Sequence, residues 1–96
     1  MFSELIEQIE AYYRARGLKW PDKKDAAIWL TTEVGELLDS LMRQESGWVR
    51  NTQKELDPSL ELADCLLMVM VCAKAMNVDV VEVLLEKMEK KIRESA

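Results

Sequence analysis

The sequence contains no histidine, and its 96 residues include only two cysteines, three glycines and two prolines. A zinc-type site would need more thiols or imidazoles than this chain offers. A fold made of strands and tight turns normally needs more glycine and proline at its turns than this chain contains. Because histidine is missing, any general base in this protein must be a carboxylate.

The two cysteines, Cys65 and Cys72, lie in one apolar stretch. On a helix they would be about 10 Å apart, since each residue rises about 1.5 Å, and this distance is too long for a disulfide. We expect both to be reduced and buried as small apolar residues, the state that is typical of the cytosol.

Long hydrophobic runs are absent as well. The longest, residues 65–73, is far shorter than the ~20 residues that cross a bilayer. No basic stretch with an apolar core begins the chain, so we expect no signal peptide. The net charge of −5 comes without a basic stripe, which argues against nucleic-acid binding because phosphate neutralisation drives it. We therefore predict a cytoplasmic protein with neither nucleic acid nor membrane as partner, whose acidity suits the binding of cations.

Apolar residues make up 49% of the chain, and their helical spacing predicts four helices. The predicted helices cover approximately residues 2–16, 23–43, 58–76 and 80–94. Ser3 is expected to cap the first helix and Gly17 to end it. Asp57-Pro58 and Asp79 are the expected starts of the third and fourth helices.

The second half of the third predicted helix is apolar on nearly every side, which is typical of a helix that is buried all round. Four short helices cannot surround it in one monomer, and a domain of this size gains stability from a second copy. We therefore predict an all-α fold with a single domain over residues 1–96. It is expected to be a four-helix bundle completed by dimerisation.

Two pairs of acidic residues stand out because both are embedded in apolar sequence. Glu33 and Glu36 lie three residues apart in the second predicted helix, and Glu61 and Asp64 lie three apart in the third. Residues at this spacing share one face of a helix. Two such helices packed together would form a cage of four carboxylates, the hard oxygen ligands that Mg²⁺ prefers. The alternative is a solvated edge with four ordinary acids.

The acidic pairs stand in the strings TEVGEL at residues 32–37 and ELADCL at residues 61–66. Together they resemble the motifs of the MazG-like, all-α nucleoside triphosphate pyrophosphohydrolases, and the resemblance spans roughly residues 18–93. It implies a helical bundle that assembles as a dimer or a dimer of dimers. It also implies house-cleaning hydrolysis of a nucleoside triphosphate to the monophosphate and pyrophosphate. The four acids match the family's Mg²⁺ ligands, and Mn²⁺ is the alternative metal.

The sequence departs from the family pattern in two places. Thr32 stands where many members have a further glutamate, which leaves the general base open between Glu33 and Glu36. In the fourth predicted helix Lys87 matches a lysine near the phosphates, but Lys91 replaces an asparagine. For both lysines the alternative is a solvated basic edge near a helix C-terminus.

Three tryptophans are candidates for stacking on a base, namely Trp20, Trp29 and Trp48. A tryptophan alone is more often part of the core. Trp29 is the strongest candidate because it lies one helical turn before Glu33, and we also assign Trp48 to the substrate.

Two other functions compete with this interpretation. A carboxylate-bridged di-iron or di-manganese bundle would normally add histidine ligands, which this chain lacks. A non-catalytic helical module that binds a nucleotide or a protein is the second alternative. Metal-dependent release of pyrophosphate separates this module from the enzyme.

Overall fold

The computed structural model describes residues 1–46 and 57–95. Over these residues the chain forms four α-helices and no strand, which confirms the predicted all-α class. The helices are α1 (Phe2–Ala15), α2 (Lys23–Ser46), α3 (Pro58–Ala75) and α4 (Val80–Glu94). In the same part of the chain, none of the helices is long and apolar enough to cross a membrane.

The ends of α1 follow local backbone chemistry, with one difference from the expectation. The helix begins one residue after Met1, and Ser3 lies inside it, so the predicted cap at Ser3 is wrong. Gly17 follows the helix with a φ of +65°, a left-handed conformation that glycine adopts without steric penalty. The helix therefore ends where the sequence predicts.

The starts of α3 and α4 are capped as predicted. Asp57 accepts a hydrogen bond from the backbone N–H of Ser59 at 3.0 Å, and proline occupies the first turn of α3. Asp79 accepts one from the backbone N–H of Glu82 at 3.0 Å. Each side chain satisfies an N–H that has no partner within its own helix. These caps fix where α3 begins, and with it the position of its two acidic residues.

Helices α2 and α3 form the main packed pair, and they run antiparallel. Near one end the Cys72 thiol lies 3.6 Å from the backbone oxygen of Lys23, while Glu33 lies further along α2, opposite Asp64 and the start of α3. Helix α1 packs against α3. The buried core consists of Ile6, Ile9, Ala26, Met68, Met70 and Val71. The pair thus brings the two acidic motifs onto facing helix surfaces.

Trp20, in the connection between α1 and α2, packs against α1 and α3. Its indole Nε1 donates to the backbone oxygen of Val71 at 3.3 Å. Its ring packs against Tyr13 with a centroid distance of 4.8 Å, and the ammonium of Lys74 lies 5.7 Å from its ring centre. These contacts assign Trp20 to the core and not to a base-stacking role.

Helix α4 stands apart from this arrangement, because none of its side chains is buried. Its apolar face lies in solvent, with Leu84, Leu85, Met88 and Ile92 between 45% and 72% exposed. The Cα radius of gyration is 16.3 Å, whereas a compact chain of this length would have about 12.5 Å. One copy of the chain therefore does not close a four-helix bundle by itself.

Candidate metal centre

The acidic motifs meet between α2 and α3. Glu33, Glu61 and Asp64 each offer one carboxylate oxygen, and these oxygens all lie within 4.8 Å of one another. Oxygen ligands of one Mg²⁺ lie up to about 4.2 Å apart, given metal–oxygen distances of about 2.1 Å. Small rotations of the side chains are therefore enough to bring the three oxygens onto one cation. Together with Glu36, these residues are called the acid site below.

Glu36 belongs to the same environment although its oxygen lies outside this triplet. Burial raises the pKa of Glu33 most, and the negative charge of Glu36 is the next cause, followed by the charges of Asp64 and Glu61. The three other predicted ligands thus all act on the carboxyl group of Glu33. Their mutual repulsion is the electrostatic condition that a bound cation relieves.

A second, independent observation supports the fit of the acid site to a cation. Oε2 of Glu33 is buried and has no hydrogen-bond partner within residues 1–46 and 57–95. A buried carboxylate oxygen is costly unless a donor or a metal satisfies it. The donor set consists only of carboxylates, which suits Mg²⁺ or Mn²⁺ better than a metal that prefers nitrogen or sulfur.

Cys65 follows Asp64 directly and is buried. Burial raises the pKa of the Cys65 thiol, and the charges of Glu33 and Asp64 raise it further. A thiol in this environment stays protonated and is a poor nucleophile and a poor metal ligand. Both cysteines are free in the structure, as predicted from the sequence. Cys65 is buried and packs as a small apolar residue, whereas Cys72 is only partly buried, so the expected burial is wrong for Cys72.

A pocket of about 240 Å³ opens beside the acid site. This cavity is called the aromatic pocket below. It is lined by Tyr12, Tyr13, Leu18, Trp29, Glu33, Asp64, Leu67 and Met68. Trp29 is 62% exposed, which is unusual for a large aromatic side chain and leaves its ring accessible to a ligand. The predicted base-stacking residue and two of the predicted metal ligands therefore line the same cavity.

The structure places the other predicted substrate residues differently. Lys87 and Lys91 lie on exposed positions of α4, and the ammonium of Lys91 is 3.7 Å from a carboxylate oxygen of Glu94. Neither lysine lines the aromatic pocket, and their contact with phosphate stays a prediction. Trp48 lies outside the described residues, and so does its proposed contact with substrate.

Helix α1 also contributes to this cavity, which was not predicted from the sequence. Tyr12 and Tyr13 line it from one side and Leu18 from the connection to α2. The available signal was their spacing from Ile9, because residues three and four positions along a helix share a face. Ile9 is buried, so the two tyrosines continue its face towards the acid site.

The family assignment rests on a comparison of the sequence with known domains. The family model of the MazG nucleotide pyrophosphohydrolase domain matches residues 22–95, well over half of the chain. The chain belongs to this family. No match was found among curated proteins or among solved structures.

The MazG match covers α2, α3 and α4 and therefore includes the whole acid site. It begins after α1, so Tyr12 and Tyr13 lie outside the matched residues. The part of the cavity that α1 contributes is therefore seen in the structure and is not covered by the family match. In a MazG nucleotide pyrophosphohydrolase domain, a carboxylate cluster beside an aromatic cavity is suited to holding a metal-bound polyphosphate next to a base.

Proposed function

We propose that this MazG-domain chain is a Mg²⁺-dependent nucleoside triphosphate pyrophosphohydrolase that acts in cytoplasmic nucleotide house-cleaning. The observation that carries the proposal is the convergence of three carboxylate oxygens within 4.8 Å on the edge of a pocket that contains Trp29. One end of this arrangement suits a divalent cation and phosphates, and the other suits a flat aromatic ring.

In this proposal the acid site holds the cation through Glu33, Glu36, Glu61 and Asp64. When bound, Mg²⁺ (or Mn²⁺) would neutralise phosphate charge and lower the pKa of a water molecule. The carboxylates alone would repel a triphosphate, so substrate binding requires the metal. The bound metal would thus allow a protein with a net charge of −5 to bind phosphate.

Side chains of the protein itself would bind the base and accept the proton of the attacking water. Trp29, with Tyr13 in the lining of the same pocket, would hold the base by stacking and so fix the nucleoside end. A carboxylate of α2 would accept the proton of the attacking water, and Glu33 and Glu36 are the candidates. Attack with pyrophosphate as the leaving group then gives the monophosphate and pyrophosphate.

We also propose that the working form is a homodimer or a dimer of dimers. The apolar face of α4 is exposed, and so are Leu62 and Leu66 of α3, at 58% and 56%. These two leucines line an apolar groove of about 550 Å³. Contiguous exposed apolar surface of this kind is rare on a monomer and typical of an interface. A second copy would bury it.

Product analysis tests the activity. The full chain is incubated with canonical and modified nucleoside triphosphates in Mg²⁺, and the initial products are separated by chromatography. We expect monophosphate and pyrophosphate only, no turnover in chelator, and recovery with Mg²⁺ or Mn²⁺. If diphosphate and orthophosphate appear first, the assignment of the cleaved bond is wrong. If no nucleotide is cleaved, the chain is a non-catalytic binding module.

A further inference from the structure

Two polar residues of α2 are buried although most of this helix is exposed. Ser40 is 3% and Arg43 is 7% exposed, and they are the only buried polar residues in the part of the chain that the structure describes. Arginine is almost never fully buried unless it is paired. Neither residue belongs to the acid site or to the aromatic pocket, so their burial needs its own explanation.

Both residues continue the helix face that carries the acid site. Glu33, Glu36, Ser40 and Arg43 follow one another at spacings of three, four and three residues. At about 100° per residue, all four lie within roughly 80° of the helix circumference. Ser40 is about 6 Å beyond Glu36 along the axis, and Arg43 about 10 Å beyond it. A long arginine side chain spans much of that distance.

The functional groups follow a fixed order along α2. Trp29 and the aromatic pocket lie towards the N-terminal end of the helix, the acid site comes next, and Ser40 and Arg43 follow. A triphosphate with its base in the aromatic pocket and its phosphates at the acid site has its outer phosphates on the far side. That side carries the buried guanidinium.

The chemistry of the two side chains suits the same ligand. A guanidinium binds phosphate oxygens in a bidentate manner and remains charged at any physiological pH. Oγ of Ser40 is buried and finds no hydrogen-bond partner among the described residues, which leaves a polar group to be satisfied about one helical turn beyond Glu36. Arg43 also forms an ion pair with Asp39, one turn earlier in α2, which orients its side chain.

We propose that Arg43, assisted by Ser40, forms the subsite for the pyrophosphate end of the substrate. The inference rests on the proposed function. Arg43 would neutralise the charge that develops on the leaving pyrophosphate and would hold this product until it is released. The aromatic pocket, at the opposite end, would bind the nucleoside monophosphate.

Product inhibition tests the proposed pyrophosphate subsite and the proposed monophosphate site separately. Inhibition constants of inorganic pyrophosphate and of the nucleoside monophosphate are measured with Mg²⁺ for the wild type and for Arg43→Gln. A lost charge-assisted contact of this kind lowers affinity about tenfold or more. We expect that loss for pyrophosphate and a change of less than about threefold for the monophosphate. Equal loss for both products, or no loss for either, would overturn the proposal.

Three further variants guard against a purely structural role. Asp39→Asn breaks the same ion pair but keeps the charge of Arg43, so we expect it to retain most of the pyrophosphate affinity. Arg43→Lys keeps a charge and should recover part of it. Arg14→Gln removes a charge from an exposed position of α1 and should change nothing. If Asp39→Asn weakens pyrophosphate binding as much as Arg43→Gln does, Arg43 acts only through the ion pair.

Calorimetric titration of the full chain with magnesium pyrophosphate needs no turnover. If the wild type binds pyrophosphate through Arg43 but cleaves no nucleotide, the subsite stands and the proposed activity fails. If the wild type releases pyrophosphate from a triphosphate while Arg43→Gln binds it normally, the activity stands and the subsite is wrong. Circular dichroism confirms that each variant is folded.

Discussion

Replacing Glu33 by glutamine is expected to stabilise the metal-free protein. The change keeps the shape of the side chain and removes one charge from a cluster whose oxygens lie within 4.8 Å of each other. Two unit charges at this distance repel by about 0.9 kcal/mol in water and about 3.5 kcal/mol at an effective dielectric constant of 20. The acid site is open to solvent on one side, so the lower figure is the better guide.

Glu33 has close acidic neighbours on α3, and their repulsions would sum to about 2 kcal/mol. Solvent and dissolved ions screen part of this repulsion, because the site is partly exposed. We therefore expect a gain of about 1 kcal/mol, which raises Tm by roughly 4–8 °C for a domain of this size. With Mg²⁺ the order reverses, because only the wild type gains stability by binding the ion tightly.

Thermal unfolding followed by circular dichroism, in chelator and then in Mg²⁺, measures both effects. Glu86→Gln is the matched control because it makes the same change in net charge at an exposed position of α4. Its Tm should shift by less than about 1 °C, since exposed charges contribute little. A lower Tm for Glu33→Gln in chelator, or equal stabilisation of both variants by Mg²⁺, would refute the electrostatic account of the acid site.

Three further predictions follow from the site and the surface. Because the folded pKa of Glu33 is raised above its ordinary value of 4.5, its contribution to stability is present below that pH and is lost as the pH rises through the raised pKa. The Tm advantage of Glu33→Gln in chelator should therefore grow over this range. Asp64→Asn should abolish Mg²⁺-dependent turnover while the circular dichroism spectrum stays helical. Leu66→Glu, in the apolar groove of α3, should shift sedimentation towards the monomer, and wild-type protein that sediments only as a monomer at micromolar concentration would contradict the proposed dimer.

The local structure of this chain is largely predictable from sequence, because its signals are short-range. Asp57 and Asp79 cap α3 and α4 through hydrogen bonds two and three residues away. Three of the four predicted acids, Glu33, Glu61 and Asp64, converge, because spacing places each pair on one helix face and these faces of α2 and α3 meet. Glu36 lies outside the triplet. Such information is contained in a window of a few residues.

The contribution of α1 to the aromatic pocket was not predictable in the same way. Tyr12 and Tyr13 lie about 20 residues before Glu33 in sequence, and only the packing of α1 on α3 brings them near it. The burial of Arg43 is a second case, because an arginine near a helix C-terminus is ordinarily read as a solvated partner of the helix dipole. Long-range packing decides both, since the local spacing shows only that Tyr12 and Tyr13 share a helix face with Ile9 and not what that face meets.

One continuous helix carries the groups on which the proposed reaction depends. Trp29, Glu33, Glu36, Ser40 and Arg43 all belong to α2, so their order and spacing are fixed by helix geometry and not by loop conformation. A rigid element of this kind holds catalytic groups more precisely than loops do. Helix α3 then needs to supply only its two acids, in antiparallel orientation, to complete the metal ligands. In the proposed reaction, α2 would therefore set the direction in which a triphosphate lies across the site, with the base towards the beginning of the helix and the leaving pyrophosphate towards its end.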